Sequence, residues 1–141
     1  MNLSKHVKLT RVKVGQGTAG TAVDSDSVDM KGFEGVMFFG MFETVHASNF
    51  ANAAQSSDDG VADAFADLLG TKITPGSDDD SFLIDIFRPR ERYVRCEIDR
   101  AGADSIMGEI YAIQYGAKAK PTTHGTTTDA ETHISPAEGL A

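Results

Sequence analysis

The chain has one cysteine, no tryptophan and four prolines in 141 residues, and no stretch approaches the roughly twenty consecutive apolar residues of a membrane span. A lone thiol excludes an intrachain disulfide framework. Cys96 lies in Tyr93-Val94-Arg95-Cys96-Glu97-Ile98-Asp99, where Val94, Cys96 and Ile98 share one strand face, so it reads as a small buried hydrophobe and not as a nucleophile. Positive charge is also scarce. Thirteen lysines and arginines against twenty-one acids leave a formal net charge of −8, which argues against direct nucleic-acid binding, since phosphates need clustered cations. Met1 to His6 carries charge with no apolar run behind it, so the expectation is a soluble protein made in the cytoplasm, with no membrane partner.

Large aliphatic side chains are nearly missing from residues 121–141, where Ile134 and Leu140 stand alone among threonine, glycine, alanine and two histidines. Ordering a residue's backbone costs roughly 1–2 kcal/mol, and burying one isoleucine returns about 1.5–3 kcal/mol. Such a segment orders only where another surface supplies contacts. The chain therefore divides into a body over residues 1–120 and an extended arm over 121–141, which either docks onto neighbours or is a frayed end.

The body reads as short strands parted by turns. In Val7-Lys8-Leu9-Thr10-Arg11-Val12-Lys13-Val14 the apolar parity slips near Thr10-Arg11, as at a bulge or where a strand passes between sheets. Gly15 to Gly20 reads as a flexible loop; its three glycines do not make a phosphate-binding motif. Thr21 to Met30 alternates weakly. Val36 to Phe42 is apolar on both parities, which predicts a central strand buried on two faces. Thr44 to Gln55 is better read as a strand with small side chains than as a helix. After the turn Ser56 to Gly60, Val61, Phe65, Leu68 and Leu69 fall at i, i+4, i+7 and i+8, predicting one short helical segment stopped by Gly70. A second turn, Pro75 to Asp80, precedes strands at Ser81 to Phe87, Arg92 to Asp99 and Ile106 to Tyr115. About eight strands at such spacing predict an all-β antiparallel sandwich, and specifically a jelly roll.

No constellation points to catalysis, a cofactor or a metal. The aspartates at 24/26/29, 58/59 and 78/79/80 lack the spacing of a calcium loop and read as solvated turn acids, and the four histidines are scattered. No nucleophile-elbow pattern accompanies any serine, so the chain is read as a non-enzyme. The arginines are more informative. Five of the six lie between Arg88 and Arg100, and Arg88, Arg90, Arg92, Tyr93 and Arg95 make an arginine and tyrosine face on an acidic protein. That face is the candidate protein interface, with His133, Ile134 and Leu140 of the arm. The competing reading is a solvated edge strand guarded by charge.

Val7-Lys8-Leu9-Thr10-Arg11-Val12, Val23 to Met30, Ser57-Asp58-Asp59-Gly60 with Ala62 to Leu68, Arg88-Pro89-Arg90-Glu91-Arg92-Tyr93-Val94-Arg95 and Thr132-His133-Ile134-Ser135-Pro136-Ala137-Glu138-Gly139 together resemble small virion proteins of tailed bacteriophages and prophages. Within that group the chain is similar in size and organisation to jelly-roll cement, or decoration, proteins. The resemblance implies a dimer or trimer on the capsid exterior, assembled in the host cytoplasm, with the major capsid protein and other copies of itself as partners. It carries over no active-site residue. A tail or head-tail connector component is the alternative within the virion. A receptor- or glycan-binding module is the alternative of another class, weakened by the missing tryptophan and only three tyrosines.

Overall fold

Alternating apolar and polar residues become eleven strands in the computed structural model, which describes residues 1–140. They are β1 (Lys8–Lys13), β2 (Gln16–Ala19), β3 (Val23–Asp24), β4 (Val28–Asp29), β5 (Gly35–Thr44), β6 (Phe50–Ser56), β7 (Ala66–Asp67), β8 (Ser81–Phe87), β9 (Tyr93–Asp99), β10 (Ser105–Met107) and β11 (Ile110–Tyr115). All pairings are antiparallel and form two sheets. One has six strands, in the order β1-β11-β5-β10-β2 with β8 on the other side of β5; the other has five, in the order β3-β9-β6-β7 with β4 also on β9. One of the two curls into a half-barrel.

A single hydrophobic cluster joins the inner faces. Val36, Phe38, Phe42, Phe82, Ile84, Ile110 and Ala112 of the six-stranded sheet meet Val23, Val28, Ala51, Ala53, Val94, Cys96 and Ile98 of the other. Period-two alternation produces this directly, since each strand turns every second side chain inward. The slip near Thr10-Arg11 is a bulge: β1 loses register against β11 between Arg11 and Lys13, and Val12 drops into the core.

Three expectations are corrected. Val36 to Phe42 is buried on one parity only, because no second layer covers the outer face of the six-stranded sheet; Val36, Phe38 and Phe42 are enclosed while Phe39 is 41% exposed. Gly15 to Gly20 is largely strand, as β2 pairs with β10. The helix over Val61 to Leu69 does not form. Its spacing is coincidental, for Val61 and Leu69 lie in solvent and only Phe65 and Leu68 find partners, while Ala66–Asp67 pairs with β6 as β7. Among the described residues the one helical element is a 3₁₀ turn at Leu3–Lys5.

Candidate functional site

Three turns at one end of the sheets build a cleft of about 530 Å³. They are Met30 to Glu34 after β4, Arg88 to Arg92 between β8 and β9, and the turn after β11 that carries Lys118. Backbone hydrogen bonds tie them together: Arg88 N–H donates to Glu34 O at 2.7 Å, Lys118 N–H to Gly32 O at 3.0 Å, and Met30 N–H to Arg92 O at 2.8 Å. Lys31, Arg88, Arg90, Arg92 and Lys118 line the cleft against only Glu34 and Glu91. In a chain of net charge −8, this is a concentrated positive surface. Arg88 adopts φ of 53°, the left-handed region that non-glycine residues rarely occupy, and its guanidinium stacks 4.9 Å from the Phe87 ring.

The five cations are not equivalent. Arg92 is engaged bidentately by Asp29, Nε to Oδ1 at 2.9 Å and Nη2 to Oδ2 at 2.6 Å. That charge-assisted pair raises the Arg92 pKa and holds the Asp29 carboxyl at about 2 against an ordinary 3.8. Lys31, Arg88, Arg90 and Lys118 enter no ion pair among the described residues and are free to meet an external anion.

The Asp29 pair yields a pH prediction. A carboxyl depressed by folding contributes stability that is fully present above about pH 3.8 and is lost as pH falls toward 2. Both side chains are nearly half exposed, so solvent screening keeps the contribution small. Asp29→Asn should lower the urea midpoint slightly at pH 7, and the difference from the native chain should close by about pH 2. A constant difference across that range would assign the loss to something other than the carboxylate.

The sequence placed Arg92, Tyr93 and Arg95 on one partner-seeking face, and the structure finds much of that face occupied from within. Arg95 reaches Asp24 at 3.0 Å and Glu97 at 2.6 Å, and lies 4.2 Å from the Phe65 ring. Phe65 arrives on the segment after β6, which also encloses Asn52, Ala54 and Ser56; Ser56 Oγ donates to Asp63 O at 2.7 Å. Asp58 accepts from the backbone N–H groups of Val61, Ala62 and Asp63, and these bonds hold its pKa below the usual range. Arg100, the last of the cluster, is buried and bonds to main-chain carbonyls. Arg88 and Arg90 are therefore the members of the arginine run that face outward without a carboxylate. Lys31 and Lys118 were not legible as site residues, since only the fold brings them beside the arginines.

The arm begins on the protein's own body. Thr122 N–H donates to Lys5 O at 3.2 Å, Leu9 N–H to His124 Nδ1 at 3.0 Å, and Gly125 N–H to Leu9 O at 2.8 Å. Ser4 and Thr132 hydroxyls meet at 2.7 Å, and Asn2 Nδ2 donates to His133 O at 3.4 Å. These contacts cover the outward edge of β1. Gly125 suits the close approach, since a Cβ there would stand 3.0 Å from Thr10. Beyond His133 the chain leaves the body, with Ile134 90% exposed and Leu140 wholly so. Ala141, the last residue of the arm, lies outside the described residues.

Cys96 is fully enclosed, and burial pushes its thiol up to about 12. Among the described residues no group of three or more His, Cys, Asp or Glu is arranged to hold a metal ion. No protein-family model matches the chain, and no curated protein matches it.

Proposed function

We propose that this protein is a non-enzymatic structural component of a bacteriophage virion, a cement protein that binds the outside of the major capsid lattice and stabilises the DNA-filled head. The observation that carries this reading is the cleft: four unpaired cations on a concave surface of an otherwise acidic protein suit a partner that presents carboxylates. Cement binding stabilises an expanded shell by its differential affinity for that state, and many copies multiply a modest free energy. The exposed end of the arm, with Ile134 and Leu140, supplies a second contact across a subunit boundary.

Strand order supports the jelly-roll part of the reading. With β2 and β10 set aside and β3 and β4 taken as one interrupted strand, the remaining eight, renumbered one to eight in chain order, run 1-8-3-6 in one sheet and 2-7-4-5 in the other. That order is consistent with the two sheets of an eight-stranded jelly roll and supports the reading.

The test is occupancy on expanded capsids and the temperature at which particles release DNA. Arg90→Glu combined with Lys118→Glu reverses two unpaired cations of the cleft and should weaken capsid binding by at least about tenfold while leaving the circular dichroism spectrum unchanged. Arg95 is a poor probe, because its reversal would place a third carboxylate beside Asp24 and Glu97. Full occupancy with an unchanged release temperature would overturn the assignment of the cleft. A copy number of a few per particle would move the protein to the tail or connector.

A further inference from the structure

The six-stranded sheet has one long edge covered and one long edge open. Along β1, the arm supplies partners for Leu9 N–H and for the carbonyls of Val7 and Leu9. The edge strands β2, β3, β4 and β7 have only four or two residues each, which is itself a protection against pairing. Seven-residue β8 pairs with β5 on one side and with no strand on the other.

Which backbone groups of β8 are free follows from the ladder. Phe42 N–H donates to Asp80 O, and Arg88 N–H donates to Glu34 O, at the two ends of the β5–β8 register. In an antiparallel ladder the hydrogen-bonded pairs alternate, so the even-numbered residues of β8 point their N–H and C=O groups at β5. Ser81, Leu83, Asp85 and Phe87 point theirs outward, and none has a partner among the described residues. A groove of about 310 Å³ runs along this edge, between β8 and the segment Gly70 to Ile73.

We infer that β8 is a dimerisation edge, pairing antiparallel with β8 of a second copy about a two-fold axis through Ile84. Three independent features select this occupant and this register. Centred on Ile84, Ser81 faces Phe87 of the other copy and Leu83 faces Asp85, so all four outward residues of each strand exchange hydrogen bonds. A shift by one residue would turn every side chain to the wrong face. A shift by two in one direction sets Asp85 against Asp85 and Ser81 against Pro89, which has no N–H. In the other direction Phe87 meets Asp79, beyond the end of the strand, and only Ser81, Leu83 and Asp85 of each copy exchange hydrogen bonds.

Charge agrees with the same register. Asp80 precedes the strand and Arg88 follows it, so pairing about Ile84 places Arg88 of each copy opposite Asp80 of the other. Both residues are exposed, and neither forms an ion pair within the chain among the described residues. Apolar surface agrees as well. Leu83 and Phe87 are 50% and 58% exposed on the face they share with Phe39, and pairing brings these patches from two copies together on one continuous sheet.

The inference deepens the self-association within the proposed function, and its test uses purified full-length protein without capsids, so that a dimer that ignores capsids would overturn only the cement reading. Sedimentation velocity should find a dimer for the native chain. Asp80→Arg alone and Arg88→Asp alone should each weaken it by about tenfold or more, because each sets like charges opposite one another twice. An equimolar mixture of the two variants should restore the dimer as a heterodimer, visible by native mass spectrometry. The double variant Asp80→Arg/Arg88→Asp should pair with itself and reject the native chain. A native monomer, a closed trimer, or a dimer indifferent to all of these substitutions would overturn the inference.

Discussion

Replacing Arg100 with leucine is expected to destabilise the fold by roughly 3–5 kcal/mol, a large part of the 5–15 kcal/mol that holds a typical domain together. The side chain is 2% exposed. Its Nε donates to Thr21 O at 2.9 Å, and its Nη1 donates to Gly17 O at 2.9 Å and to Ser105 O at 3.0 Å. One guanidinium thus satisfies three carbonyls, that of Ser105 buried and those of Gly17 and Thr21 partly so, and ties β2 and the turn after it to β10. No carboxylate pairs with it among the described residues, so its charge is met by main-chain carbonyls and, at 3.5 Å, the Thr21 hydroxyl. Leucine would fill the volume and leave the carbonyls without donors. Lysine should recover less than half of the loss, because a single ammonium cannot match the planar fork. Urea denaturation of the three proteins measures this; a loss for Arg100→Leu below about 1 kcal/mol would mean that water replaces the guanidinium at little cost.

The second large effect separates two neighbours. Phe38→Ala should cost about 3–5 kcal/mol, since Phe38 is wholly enclosed between the sheets, in the row of residues with Thr10, Ala112 and Ile84. Phe39→Ala should cost the isolated protein less than about 1 kcal/mol, because its ring already lies partly in water. Equal losses would show that the outer face is covered in solution. In that case comparing dilute with concentrated protein would locate the cover, since a second copy stabilises in proportion to its concentration.

Strand identity was legible from local alternation. Val94, Cys96 and Ile98 are buried together, as their parity required, and the turns at Ser56 to Gly60 and at Pro75 to Asp80 separate strands as their glycine, proline and aspartate residues indicated. The errors share a physical origin. Whether a both-parity apolar strand is covered on one face or two depends on how many layers the chain builds, and nothing between Val36 and Phe42 records that number. The Val61 to Leu69 spacing matched a helix, but a helix needs a surface for its whole stripe, and β6 offered a strand partner to Ala66–Asp67 instead. At the candidate site, the arginine run was visible because it is contiguous. Its division into outward Arg88 and Arg90, internally paired Arg92 and Arg95, and buried Arg100 was not, since Asp24, Asp29, Thr21 and Gly17 reach them only through the fold. The arm's composition leaves docking onto a neighbour and fraying equally open, and that its first half lies along β1 of its own chain depends on contacts with Lys5 and Leu9 that only the fold supplies.

The arm's course along β1 sets how many strands the molecule offers for joining. With that edge occupied and β8 open, pairing through β8 as inferred would give each copy a valency of one, and association would terminate at a pair. Removing residues 121–140 would raise the valency to two, and the same pairing chemistry would then propagate from copy to copy as a growing ribbon. The stretch with the least apolar area of its own would thus act as a chain terminator for such an assembly.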